Sequence, residues 1–197
     1  THKVTFLSPE LLRISLIDVL KDVAPISLLH EVLSPKGFNA SQIRDIYRSL
    51  SSSQSGKRFF STEWEVLRDR EYLWIQKKDS SPLIPELIIE EIERTPSFVI
   101  PRDKHIACLD ADKLNHPLTI RKWERGDKFI PLGMNGKKKV SDYLTDKKFS
   151  LFQKENQYVV CNGEDIVWLV NERTDHRYRI TDSTQRILLI KIKKDGQ

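Results

Sequence analysis

Apolar positions change period along this chain, and the changes divide it. Between Ser8 and Val23, Leu12, Leu16, Val19, Leu20 and Val23 recur at helical spacing, which predicts a helix over Ser8–Val23. Ser8 would cap it, Pro9 suits its first turn and Glu10 favours its positive end. A second helix is predicted over Ser27–Leu33, halted by Pro35 and Gly37. A third should begin after Asn39 or Ser41 and bury Ile43, Ile46, Tyr47 and Leu50.

A Ser-rich break over Ser49–Ser55 follows, and the period then falls to two. Phe59–Phe60, Trp64–Leu67 and Tyr72–Ile75 read as short strands, with a turn at Asp79–Pro82. Leu87–Ile92, Phe98–Ile100 and His105–Leu109 are further strand candidates. From Pro117 onward, Leu118 and Ile120 would face a core while Thr119, Arg121 and Trp123 share the other face. Val140–Lys147 predicts one short helix with Val140, Tyr143 and Leu144 inward. Asn162-Gly163-Glu164-Asp165 should turn a hairpin between Tyr158–Cys161 and Ile166–Val170, its Asn-Gly supplying positive φ angles. Arg177–Thr181 and Ile187–Lys193 complete the strands. The expectation is an α+β chain: a helical segment over 1–52, a β-rich continuation over 53–115, and a small, mainly antiparallel sheet domain with one short helix over 116–197.

Charge sharpens this division. The 197 residues carry a net charge of +5. From Leu118 onward there are 17 Lys and Arg against 11 Asp and Glu, a surplus of 6; the preceding residues hold 16 against 17. The positive excess therefore lies in the last part of the chain, which points to a polyanionic partner there. Seven glycines are few for a doubly wound nucleotide-binding enzyme. No apolar run approaches the length of a membrane span, so no membrane partner is expected. The two cysteines, Cys108 and Cys161, sit inside apolar runs and read as inert buried thiols, in keeping with a cytoplasmic location. The chain opens Thr1-His2-Lys3 without a methionine or signal peptide, which suggests a piece of a longer protein.

Catalytic motifs are scarce. Ser51–Arg58, SSSQSGKR, echoes a phosphate-binding P-loop but lacks its first glycine, has Arg58 in the magnesium-ligand position and leads into a strand. Lys57 after Gly56 remains a candidate phosphate contact. Ile106–Asp112, IACLDAD, resembles the Asp-x-Asp motif of haloacid-dehalogenase phosphatases, in which Asp110 would attack phosphorus; the parallel βαβ units of that fold do not follow. The five histidines show no zinc spacing. What stands out is Thr119–Phe149, where cations alternate with Gly126, Pro131, Gly133 and Gly136. Such a loop brings backbone amides and lysines close to phosphates and would position a nucleic acid without reading its bases. A basic face that docks an acidic protein is the alternative.

The ordered run Arg121-Lys122-Trp123, Gly126-Asp127, Phe129, Pro131-Leu132-Gly133-Met134, Gly136, Lys138, Asp142, Asp146 and Lys148 resembles the C-terminal domain of the tRNA(Ile)-lysidine synthetase family. Trp168, Arg173, Asp175 and Arg177-Tyr178 continue the match. Asn171 departs from it, standing where a glycine often precedes the arginine. Upstream, Leu29–Phe38, Ser55–Ser61, Arg68-Asp69-Arg70 and Leu73 resemble that family's middle, substrate-binding domain. The resemblance implies an ATP-dependent ligase that adenylates the wobble cytidine of an isoleucine tRNA with a cytidine-first anticodon, after which lysine displaces AMP to form lysidine. ATP and magnesium would belong to an N-terminal domain carrying a Ser-Gly-Gly-x-Asp-Ser loop that this sequence lacks. No cofactor and no catalytic residue are then expected here. Arg121, Arg125, Lys128, Lys137, Lys138, Lys139, Lys147, Lys148, Arg173 and Arg177, with Lys57 upstream, become the expected tRNA contacts, in a chain inert by itself and open to homodimerisation.

Overall fold

The computed structural model describes residues 4–52, 55–78 and 84–193. The turn expected at 79–82 and two residues of the Ser-rich break, 53–54, lie outside them. The chain forms two compact units, one of Thr1–Leu83 with Ser150–Phe152, the other of Ile84–Phe149 with Gln153–Gln197.

The first unit corrects the first predicted helix. Strand β1 (Val4–Ser8) and strand β2 (Leu11–Ser15) form a hairpin, and only helix α1 (Leu16–Leu20) remains helical. Leu12, Ile14 and Leu16 are buried in alternation, a period of two that overlaps the helical spacing of Leu12, Leu16 and Val19. Pairing decides between them: β2 is zipped to strand β5 (Tyr72–Lys77), with Leu12 opposite Ile75 and Ile14 opposite Leu73. The helical cap is Ser15, whose hydroxyl accepts from Asp18 N–H, and not Ser8.

Helix α2 (Pro25–Leu33) ends in a tight turn whose stop is Gly37 at φ +81°. Helix α3 (Ala40–Leu50) starts from Asn39, which exchanges hydrogen bonds with Gln42 in a capping box. Strands β3 (Lys57–Phe60) and β4 (Trp64–Arg68) complete an antiparallel sheet ordered β1-β2-β5-β4-β3. Its core gathers Leu12, Ile14, Val66, Leu73 and Ile75 with Leu29, Leu33, Ile43 and Ile46 from α2 and α3. A smaller cluster stacks Phe152 on Trp74 at 3.9 Å between ring centroids.

In the second unit, strand β6 (Leu87–Glu93) and strand β7 (Ile106–Asp110) flank strand β14 (Arg186–Ile192), so both pair with the end of the chain. A four-stranded sheet is ordered β13 (Arg173–Thr174), β12 (Asp165–Leu169), β11 (Tyr158–Asn162), β8 (Leu118–Lys122). Strand β9 (Lys128–Phe129) pairs with strand β10 (Lys138–Lys139), which leads into helix α4 (Val140–Asp146). Helix α5 (Leu151–Glu155), whose first two residues count with the first unit, adds a turn that the sequence did not announce.

Alternation along β11 divides the core. Val160 joins Trp168, Ala107, Leu109, Leu188 and Ile190 in one cluster; Val159 and Cys161 join Phe129, Val140, Tyr143 and Leu144 in another. Two predicted strands do not form: Phe98–Ile100 lies outside any strand, and His176–Tyr178 is a 3-10 turn. At the hairpin, Asn162 pairs with Asp165, so Gly163-Glu164 is the turn and Gly163 alone carries the positive φ, +62°. Asn171 takes the left-handed conformation, φ +59°, that a glycine there would favour.

Candidate nucleic-acid interface

The basic loop between β9 and β10 is held by a segment more than forty residues away. Ile130 N–H donates to the Asp175 carboxylate at 2.8 Å, and His176 N–H donates to Ile130 carbonyl at 2.6 Å. Leu132 N–H reaches Thr174 carbonyl at 2.9 Å, and Gly133 N–H reaches Nδ1 of His176 at 3.1 Å. Gly133 turns at φ +91° with nothing within 4 Å of where a Cβ would stand. Asp175 is fully buried and also accepts Arg177 Nε and Nη2, each at 3.0 Å. Arg177 extends the network to Asp165 at 2.8 Å. The far end of the loop is tied by Val140 N–H to Asp127 carbonyl at 2.9 Å.

The expected cations fall into two groups. Arg121 forms a bidentate pair with Asp127 at 2.8 and 2.9 Å, Arg177 serves Asp175 and Asp165, and Lys138 binds Asp146 at 2.5 Å. These side chains hold the loop as well as charging it. Burial opposes ionisation of Asp127, but hydrogen bonds from Arg121 and from Glu124 N–H outweigh it and hold the carboxyl below its ordinary value. Asp165 is depressed in the same way, burial being outweighed by bonds from Arg177 and the Tyr178 hydroxyl. Arg125, Lys128, Lys139, Lys148 and Arg173, by contrast, have no side-chain hydrogen bond or ion pair among the described residues. Lys137 faces Asp165 electrostatically, and Lys147 stands 5.8 Å from the Tyr143 ring centroid. Lys57 belongs to the first unit, 5.2 Å from the Phe59 ring centroid.

Two cavities in the second unit have Lys138, Lys147 and Arg173 among their lining residues. The larger, about 760 Å³, is lined by Phe98, Ile106, Cys108 and Trp168 with Arg102 and Arg173. The smaller, about 320 Å³, is lined by Met134, Tyr143, Lys138 and Lys147. Leu132 and Arg173 line both. Sequence reasoning missed Asp175 and His176 as supports, since nothing in their local pattern announces a partner at Ile130–Gly133. It also missed the cavities, whose walls come from four separate stretches of chain.

Asp110 does not have a nucleophile's setting. Its carboxylate is buried, accepts the Thr184 hydroxyl at 2.7 Å and pairs with Lys113 at 3.1 Å. It ends β7 in an antiparallel sheet and caps a 3-10 turn by accepting Asp112 N–H, which removes the phosphatase reading. Both cysteines are free, and burial pushes the Cys108 thiol up to about 11 and raises Cys161. Among the described residues no cluster of three or more His, Cys, Asp or Glu side chains could hold a metal, and no helix is long and apolar enough to cross a membrane.

Residues 8–78 match the family model described as the TilS substrate binding domain. A tRNA(Ile)-lysidine synthase of Bacteroides thetaiotaomicron is 52% identical over 96% of this chain and 45% of its own length. One from Parabacteroides distasonis is 41% identical over 90% of this chain and 44% of its own. The chain thus spans less than half the length of these curated relatives. A crystal structure of a TilS C-terminal domain superposes with a TM-score of 0.48 at 19% identity, covering 56% of this chain and 85% of that one.

Proposed function

This chain belongs to the tRNA(Ile)-lysidine synthase family over the part of those proteins that it matches, and from that premise we propose that it is the tRNA-holding portion of such an enzyme. In the whole enzyme, ATP activates the wobble cytidine of the isoleucine tRNA and lysine displaces AMP. The nucleotide-binding loop for that chemistry is not in this sequence, and no residue here is assigned to ATP, magnesium or lysine. The chain alone forms no lysidine. It contributes grip and placement.

One observation carries this reading: a glycine-punctuated loop, braced by Asp175 and His176, stands among Arg125, Lys128, Lys139, Lys148 and Arg173, none of which has a carboxylate partner among the described residues. A cation already committed to a carboxylate gives little to a phosphate, while an uncommitted one releases a counterion on binding. Duplex RNA offers shape and backbone rather than a readable major groove, which such a surface matches. Lys57, in the first unit, is a separate candidate phosphate contact. The paired cations Arg121, Lys138 and Arg177 shape the surface and add field.

Affinity of this chain for isoleucine tRNA should fall roughly 100- to 1,000-fold between 50 and 200 mM salt, as for about five phosphate contacts. The double variant Lys139→Glu/Lys148→Glu should weaken binding further and flatten the salt dependence. Fluorescence anisotropy over a salt series measures both. Salt-independent affinity, or wild-type affinity in the double variant, would remove the site. Equal displacement of tRNA by an acidic polypeptide at matched charge would instead assign the face to protein docking.

A further inference from the structure

We propose that the two cavities sharing Leu132 and Arg173 receive successive unpaired nucleotides from a single-stranded end of the bound RNA, with Arg173 on the phosphate that links them. The inference rests on the tRNA reading above and goes further by naming an element of the ligand that a duplex does not offer. Cavities of about 760 and 320 Å³ fall in the range of small-ligand sites, ~300–1,000 Å³, so each has room for a base. A paired base has its faces and edges inside the helix. Only an unpaired one can enter.

The linings suit that ligand. Phe98 and Ile106, both half-buried, give the larger cavity an apolar wall, and Leu132 with Met134 gives the smaller one another. Every base has a π-face that lies against such surfaces without regard to sequence. Val99 and Ile100 leave large apolar side chains exposed beside the larger cavity, and Leu132 and Met134 are 37% and 44% exposed at the smaller. Charge at the rims is partly spent. Glu172 takes Lys104 at 2.9 Å and Asp146 takes Lys138. Arg102 and Arg173 keep no carboxylate partner among the described residues, and Lys147 lies over the Tyr143 ring. An apolar peptide would meet the walls but leave these guanidinium groups without an anion. A nucleotide chain satisfies both.

The shared wall is also tied into the support of the loop. Leu132 N–H is bonded to Thr174, the residue after Arg173, so wall and guanidinium are set together by one backbone hydrogen bond of 2.9 Å. Strand β13 thus carries Arg173 to the ridge between the cavities, where a linking phosphate would cross.

The test compares one RNA hairpin, blunt or carrying a four-nucleotide 3′ single-stranded extension, against the 197-residue chain by fluorescence anisotropy. The extension should raise affinity about tenfold, a stacking contribution near the low end of 1–3 kcal/mol per base. In Leu132→Asn and in Arg173→Gln, both at exposed positions, the ratio of extended to blunt affinity should fall toward one. In Lys139→Glu both affinities should drop with the ratio kept. Equal affinity for the two hairpins overturns the inference and leaves the tRNA reading standing, as does a ratio undiminished in both cavity variants. Failure to bind either hairpin overturns both readings.

Discussion

His176 shows how one side chain can brace a loop more than forty residues away in sequence. Its Nδ1 accepts Gly133 N–H at 3.1 Å while its backbone N–H donates to Ile130. Removing the acceptor frees an amide at the tip of the loop, where Gly133 already imposes little restraint. His176→Ala should therefore weaken tRNA binding about fivefold, the worth of one hydrogen bond near 1 kcal/mol. His176→Asn, whose carbonyl oxygen can stand near the Nδ1 position, should recover most of that loss. A purely steric role for the ring would leave the two variants alike in a binding titration. Asp175 lies deeper in the same support, and its place two residues after Arg173 in the family-like motif was legible in the sequence. The buried network around Asp175 was not, because its partners Ile130, Arg177 and Asp165 are brought together by folding alone.

Among the elements, those with strong local signals formed as expected. Helix α3 has its capping box written in Asn39 and Gln42 and its buried face in Ile43, Ile46 and Leu50. Asn39→Ala should cost about 1 kcal/mol of stability in urea unfolding and leave tRNA affinity within twofold, since the cap bonds only within the first unit and the basic loop belongs to the second. An equally large loss of affinity would show that α3 takes part in recognition. Helix α4 also matches its prediction, with Val140, Tyr143 and Leu144 buried and Lys148 closing it at φ +59°. The segment over Ser8–Val23 failed because its apolar residues satisfy both periods. Strand β5 settled the ambiguity by pairing with Leu11–Ser15, a partner some sixty residues distant.

At the scale of the whole molecule, several carboxylates are held below their ordinary values. Asp112 is lowered first by its hydrogen bond from Arg186, whereas Asp127 and Asp165 are lowered by Arg121 and Arg177 against the effect of burial. A carboxyl depressed in the folded state stabilises the fold fully above its unfolded value, near 4, and loses that contribution as pH falls through the folded value. Urea unfolding should thus give a flat stability above about pH 5 and a decline below about pH 4. Asp127→Asn should make the decline shallower while lowering stability at neutral pH. An unchanged pH profile in that variant would remove the Arg121 pair from the account.

The amino-acid sequence by itself determined the α+β class, the helices with caps, the charge surplus after Leu118 and the family that the ordered motif resembles. Each of these is local, or is a sum over residues, and survives without knowing what touches what. Tertiary structure decided the rest. It turned Leu11–Ser15 into a strand, joined β6 and β7 to β14, and replaced the expected Arg177–Thr181 strand by a turn. It also separated cations that brace the loop from those without a carboxylate partner among the described residues. Both Arg121 and Lys139 read alike as basic residues near glycines, but only Arg121 has a carboxylate within 3 Å. Long-range pairing and the neutralisation of charge are properties of contacts between distant residues, and those exist only once the chain is folded.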